Sequence, residues 1–154
     1  MTLKSAEHLK EMGLDNFAPY LMNRIIGRYN KALQAEMLGL GLTTSQMRSL
    51  AILSVTDGIM IRDLAVYAVV QQSTLSRALD TLEQNDMVRR ENDLQDSRAT
   101  RVFITEAGRE TYDRLWPHMS AAYEAMFKGV GESEKQVFVA TLQKMLRNIR
   151  KHNF

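Results

Sequence analysis

From Phe17 to Met37 the chain places an apolar residue at every fourth position (Phe17, Leu21, Ile25, Tyr29, Leu33 and Met37), and Met22 and Ile26 broaden the stripe. A repeat of four returns to nearly the same face of a helix that turns every ~3.6 residues, so this stretch reads as one long amphipathic helix. Asp15 or Asn16 is placed to cap its start, and Gly39 and Gly41 stop it. A helix of this length is not covered by one short neighbour; it needs a second long helix or another molecule. Only two prolines and eight glycines punctuate the sequence, and its other glycine-poor stretches show the same helical spacing. The chain is therefore expected to be mainly α.

At 154 residues, with 45% hydrophobic and 25% charged residues, the composition fits one packed domain with helical extensions rather than a disordered chain. The absence of cysteine excludes disulfides, thiolate metal sites, cysteine nucleophiles and thiol redox switches. His8, His118 and His152 lie far apart in the chain, so no metal site or cofactor is expected and each histidine reads as an exposed polar residue. There is no glycine-rich phosphate loop, and no nucleophile has a base close by in sequence, which argues against an enzyme. No apolar run approaches the roughly 18 residues of a membrane span, and the first positions lack a secretory pattern. A cytoplasmic protein with no membrane association is expected.

Thr43 and Gln46 form a capping box that opens a second helix carrying Met47, Leu50, Ala51 and Leu53 and ending near Asp57-Gly58. Ile61 to Ala68 and Ser73 to Gln84 read as two short helices joined across Val69-Val70-Gln71-Gln72. After Asn85-Asp86 the pattern changes to a period of two. Met87 to Glu91 and Thr100 to Ile104 then read as a two-stranded hairpin around the polar loop Asn92–Ala99. Thr105, with Gly108 three places on, opens a long helix bearing Tyr112, Leu115, Trp116, Met119, Tyr123 and Met126, which Pro117 is expected to kink. Gly129 and Gly131 end it. Ser133 with Gln136 is a second capping box, starting a last helix that closes on the basic run Arg147 to Lys151.

The chemistry gathers in the middle. Ala65 supplies the small residue that two crossing helices need, and Leu64, Leu75, Leu79 and Leu82 supply their apolar faces. On the second of these helices Ser73, Ser76, Arg77 and Asp80 lie opposite the leucines. The first three cluster at the N-terminal end, where a recognition helix reaches base edges. Arg98 at the hairpin tip, with Arg101 nearby, suits the negative potential of a minor groove, and Asp96 is placed to hold the Arg98 guanidinium. Segment 43–105 nevertheless carries 7 basic and 8 acidic residues, a net of −1. Binding to DNA therefore requires the arginines to be sorted onto one face. The competing reading is a helix-turn-helix protein whose winged face binds another protein.

Asp96-Ser97-Arg98, then Val102 to Gly108, together with Leu42-Thr43-Thr44-Ser45-Gln46, Leu82-Glu83 and Met87-Val88-x-Arg90, resemble the motifs of the MarR family of bacterial transcriptional regulators. The likeness runs from about Phe17 to Ile149. It implies a winged helix-turn-helix with a two-stranded wing between long N- and C-terminal dimerisation helices, divided as 1–42, 43–105 and 106–154. It also implies that Ser73, Thr74, Ser76 and Arg77 meet the major groove, that Arg98 meets the minor groove, and that a homodimer binds double-stranded DNA bearing an inverted repeat. The excess apolar surface of the long helices points to a twin subunit independently. Family members are commonly repressors released by a small aromatic or anionic effector. For such an effector Arg24 and Arg28 offer a carboxylate partner, and Met22, Ile26 and Tyr29 an apolar wall. Three departures from the pattern stand out. Val69 lies where a turn glycine is usual, and as a β-branched residue it is not expected at positive φ. Asp86 replaces a glycine, so Asn85 or Asp86 has to take a left-handed conformation, and Ile104 replaces a leucine.

Overall fold

The computed structural model describes residues 7–154, in the order α1 (Glu7–Met12), a 3-10 turn (Leu14–Asn16), α2 (Ala18–Gly39), α3 (Thr44–Val55), β1 (Ile59–Met60), α4 (Ile61–Ala68), α5 (Gln72–Gln84), β2 (Val88–Asn92), β3 (Thr100–Ile104), α6 (Glu106–Met126) and α7 (Glu132–Ile149). This is the mainly α chain that the periodicities imply, arranged as the winged helix-turn-helix that the resemblance implies. The wing differs in one respect: its antiparallel sheet has three strands in the order β1-β3-β2, because Ile59 pairs with Val102 and Met60 with Arg101. A strand of two residues is too short to show a period, so β1 has no signature in the local residue pattern.

The capping box opens α3 as expected. The Thr43 hydroxyl accepts the Gln46 N–H at 3.2 Å, and the Gln46 side chain accepts the Thr43 N–H at 2.9 Å. Thr105 caps α6 by accepting the Gly108 N–H at 3.1 Å. The glycine has a second reason to be there, since a Cβ on Gly108 would collide with the Met87 carbonyl oxygen. The helix runs through Pro117 without interruption.

Other expectations need correction. Phe17, not Asp15 or Asn16, occupies the N-cap of α2, with no side-chain cap, and Pro19 in the first turn tolerates the missing donor. Asp15 and Asn16 belong to the preceding 3-10 turn. The last helix starts one residue before Ser133: Gly131 is its N-cap, and Glu134 rather than Gln136 reaches back to accept the Gly131 N–H at 3.3 Å. Val69 does adopt a left-handed conformation (φ 57°, ψ 49°), as does Asp86 (φ 61°). The Val69 turn is held by Val69 N–H to the Val66 carbonyl at 3.2 Å and Val70 N–H to the Ala65 carbonyl at 3.1 Å. Tertiary packing of Val70 against the core overrides the local preference of Val69. His8 is half-buried rather than exposed, and His118 Nε2 sits 3.4 Å from Glu36.

One core organises the middle of the chain. Leu50 and Leu53 of α3, Leu64 of α4, Leu75, Leu79 and Leu82 of α5, and Val88 and Val102 of the sheet are almost completely buried, joined by Leu33 from α2 and Leu115 from α6. Each such side chain contributes on the order of 1.5–3 kcal/mol by leaving water. The α2 stripe is consequently split. Leu33 and Met37 enter this core, whereas Leu21 and Ile25, a few turns earlier, remain partly exposed. α7 buries no residue at all within the chain, although Phe127 beside Phe138 (6.1 Å between ring centres) and Phe154 stacked on Tyr67 of α4 (4.8 Å) tether its two ends. Among the described residues, no helix is long and apolar enough to cross a membrane.

Candidate nucleic-acid interface

α5 buries Leu75, Ala78, Leu79 and Leu82 and turns Ser73, Thr74 and Arg77 outward, with Ser76 half-buried at the edge of the exposed face. Ser76 and the wing residue Arg98 line the same cleft, a concavity of about 370 Å³ between the start of α4, the first turns of α5 and the wing. One residue expected at the major groove, Ser76, and the wing-tip Arg98 thus face a common cleft.

Ion pairing sorts the charges of this acidic segment. Arg90 Nη2 lies 2.6 Å from Glu83 and 2.7 Å from Asp80, and its backbone N–H donates to Glu83 at 3.1 Å, so β2 is clamped to the end of α5. The Arg90 guanidinium holds the Glu83 carboxyl below the usual carboxylate range. Arg48 donates to the Ala68 carbonyl at the end of α4, Arg89 pairs with Glu91 and lies 4.2 Å above the Phe103 ring, and Arg109 joins Asp57 at 3.4 Å. What remains pointing outward is Arg77, for which no carboxylate lies within ion-pair distance among the described residues, together with Arg98 and Arg62. The Arg98 side chain is 91% exposed, and Asp96 accepts both its backbone N–H (3.1 Å) and its Nε–H (3.2 Å), as the sequence suggested.

Arg101 is placed differently from Arg98. Its Nε donates to Asp93 at 2.5 Å and its Nη1 to the Gly58 carbonyl at 2.7 Å, so its charge is engaged inside the wing. Asp93, which the sequence reading did not single out, is the centre of the loop. Its buried carboxylate also accepts the Gln95 and Asp96 N–H groups at 3.1 and 3.0 Å, and Arg101 foremost among these donors pulls its pKa down. An aspartate opening a polar loop is a known turn former, and that signal was available. Arg62, on the first helix of the pair, lines the cleft as well, a position that its local sequence does not signal.

A second concavity, a trough of about 540 Å³, lies between α2 and the far end of α6. Tyr20, Leu21, Arg24, Ile25, Arg28 and Tyr29 line it on the α2 side. Arg24 donates to the Tyr20 hydroxyl at 3.0 Å, and burial raises the Tyr29 phenol. Met22 and Ile26 do not line it. Each follows a lining residue by one position, about 100° around the helix, so the apolar wall is Leu21 and Ile25 instead.

Two crossing helices, α4 and α5, a wing rooted beside them and a cleft lined by Arg62, Ser76 and Arg98 define a winged helix-turn-helix, the architecture of many DNA-binding proteins. Residues 42–100 match the MarR family. The chain is 58% identical to a MarR-family transcriptional regulator from Silicibacter pomeroyi, whose crystal structure it matches with a TM-score of 0.90 over 95% of this chain and 99% of that one. The chain therefore belongs to the MarR family of transcriptional regulators. It is also 24% identical to the transcriptional repressor IacR of Pseudomonas putida, over 90% of this chain and 83% of that protein. CouR from Rhodococcus jostii, solved with p-coumaroyl-CoA bound, shares the fold at 24% identity and a TM-score of 0.76, over 86% of this chain and 94% of that one.

Proposed function

We propose that the protein is a homodimeric repressor that binds an inverted-repeat operator and is released by a small aromatic or anionic effector. Ser73, Thr74, Ser76 and Arg77 meet the major groove, and Arg98, positioned by Asp96, enters the minor groove. Arg101 braces the wing rather than touching DNA. The observation that carries this reading is the shared cleft of Ser76 and Arg98, in a segment whose other arginines, Arg62 and Arg77 apart, are engaged within the chain. A twofold pair of such surfaces addresses half-sites about one helical turn apart. The repressor IacR and the ligand-bound CouR support the sign of regulation and the existence of an effector. In the trough, Arg24 and Arg28 hold the effector's anionic group and Tyr29 flanks its apolar part. An effector acts only by binding the DNA-incompetent arrangement more tightly.

The test is duplex binding at low and high salt with Arg77→Ala and Arg98→Ala. Each is expected to weaken binding about tenfold or more. Unchanged affinity in both variants would overturn the assigned surface.

A further inference from the structure

We infer that the cleft between α4, α5 and the wing is a phosphate site for the DNA backbone, and that Arg62 is its cation; this rests on the DNA-binding reading above. Within a duplex the sugar-phosphate strand is the ridge that separates the major groove from the minor groove. A protein that puts a helix into one groove and a wing into the other has to receive that ridge in the space between them. The cleft of about 370 Å³ occupies that space, between the recognition helix and the wing tip.

Its chemistry suits an oxyanion. Arg62, Gln72, Ser76, Arg98 and Thr100, all of which line the cleft, carry side-chain N–H or O–H donors. The single carboxylate on its wall, Asp96, already accepts two N–H groups from Arg98. Arg62 is free to take part. Its side chain is 70% exposed, and among the described residues its one ionic neighbour, Asp63, is adjacent in sequence, 3.8 Å from Nε and at the outer limit of an ion pair, so that no carboxylate there engages the terminal nitrogens of the fork. A base edge would lie at the floor of a groove, beyond α5 or the wing tip. Arg62, on the first helix of the pair, faces the ridge instead, where it binds any sequence alike.

The experiment measures anisotropy of a fluorescein-labelled duplex selected from a random pool, and of a scrambled duplex of the same length, across a salt series. Arg62→Ala is expected to weaken both about tenfold and to reduce the slope of log affinity against log salt by about 0.9, with the ranking of base substitutions in the selected duplex unchanged. Arg62→Lys is expected to recover the slope. Thermal melts of both variants are expected to match the parent, because the side chain is exposed. If Arg62→Ala leaves the slope unchanged while Arg77→Ala and Arg98→Ala weaken binding, the phosphate site is wrong and the recognition surface stands. If Arg62→Ala alters the ranking of bases, the residue reads sequence and the assignment is likewise overturned. If all three substitutions are silent, the DNA-binding surface itself is misplaced.

Discussion

Within α3, α4 and α5 every leucine is closed into one core, and the arginines that do not face the cleft or the exposed side of α5 are paired inside the chain. In α7 no residue is buried, and Val137, Leu146 and Ile149 are 67%, 55% and 78% exposed. α2 joins the two regimes, with Leu33 and Met37 in the core and Leu21 and Ile25 facing the open trough. The winged domain is thus finished by its own sequence, while the arms carry apolar surface that a single chain leaves uncovered. What the helical periodicity encodes is a face to be buried; whether the burying surface belongs to the same chain is decided elsewhere.

The contrast breaks most visibly if the arms are charged. Val137→Asp combined with Leu146→Asp is expected to convert a sedimenting dimer to monomer and to weaken binding to an inverted-repeat duplex by about a hundredfold, through loss of the linked second half-site. The winged domain should keep its circular dichroism. Leu79→Ala, deep in the opposite regime, is expected to cost about 3 kcal/mol in denaturant unfolding without changing the oligomeric state. Val69→Gly is expected to stabilise the protein by about 1 kcal/mol, because it removes a β-branched residue from a left-handed conformation; a fall in the urea midpoint would show that the turn carries no strain.

The smallest effect is on pH dependence. Glu83 and Asp93 have folded pKa values lowered by Arg90 and Arg101 respectively. Their pairing therefore stabilises fully above the ordinary carboxylate range and is lost as pH falls through the depressed folded values. Melting temperature followed from pH 7 to pH 3 should fall, and Asp93→Asn should flatten part of that fall.

The helices of the winged domain were legible because their signals are local. Thr43 and Gln46 lie within one turn, and the leucines of α5 repeat on one face. The hairpin was legible from its period of two, but β1 was not, since Ile59-Met60 becomes a strand only through Val102, far along the chain. At the candidate site, exposure of Ser73, Thr74, Arg77 and Arg98 followed from helix geometry and loop position. The different employment of Arg98 and Arg101, two arginines of one wing, did not. It is set by Asp93 and the Gly58 carbonyl, which the fold brings to Arg101. In the trough, Arg24, Arg28 and Tyr29 lie where the sequence placed them, and only the pair Met22 and Ile26 is one residue out of phase, because they are as apolar as Leu21 and Ile25 and only packing distinguishes them.

The small strand β1 also fixes how the wing stands. Ile59-Met60 runs directly into α4, and the Arg101 bond to Gly58 fastens the hairpin to the same segment. The wing is therefore braced at its base against the segment that leads into α4, so the protein's own contacts set the separation between the wing and α5. On the DNA-binding function proposed above, accommodation is left to the duplex: operators whose flexible steps and narrow A-tract regions already match that span are expected to bind best, giving selectivity at base pairs no side chain touches.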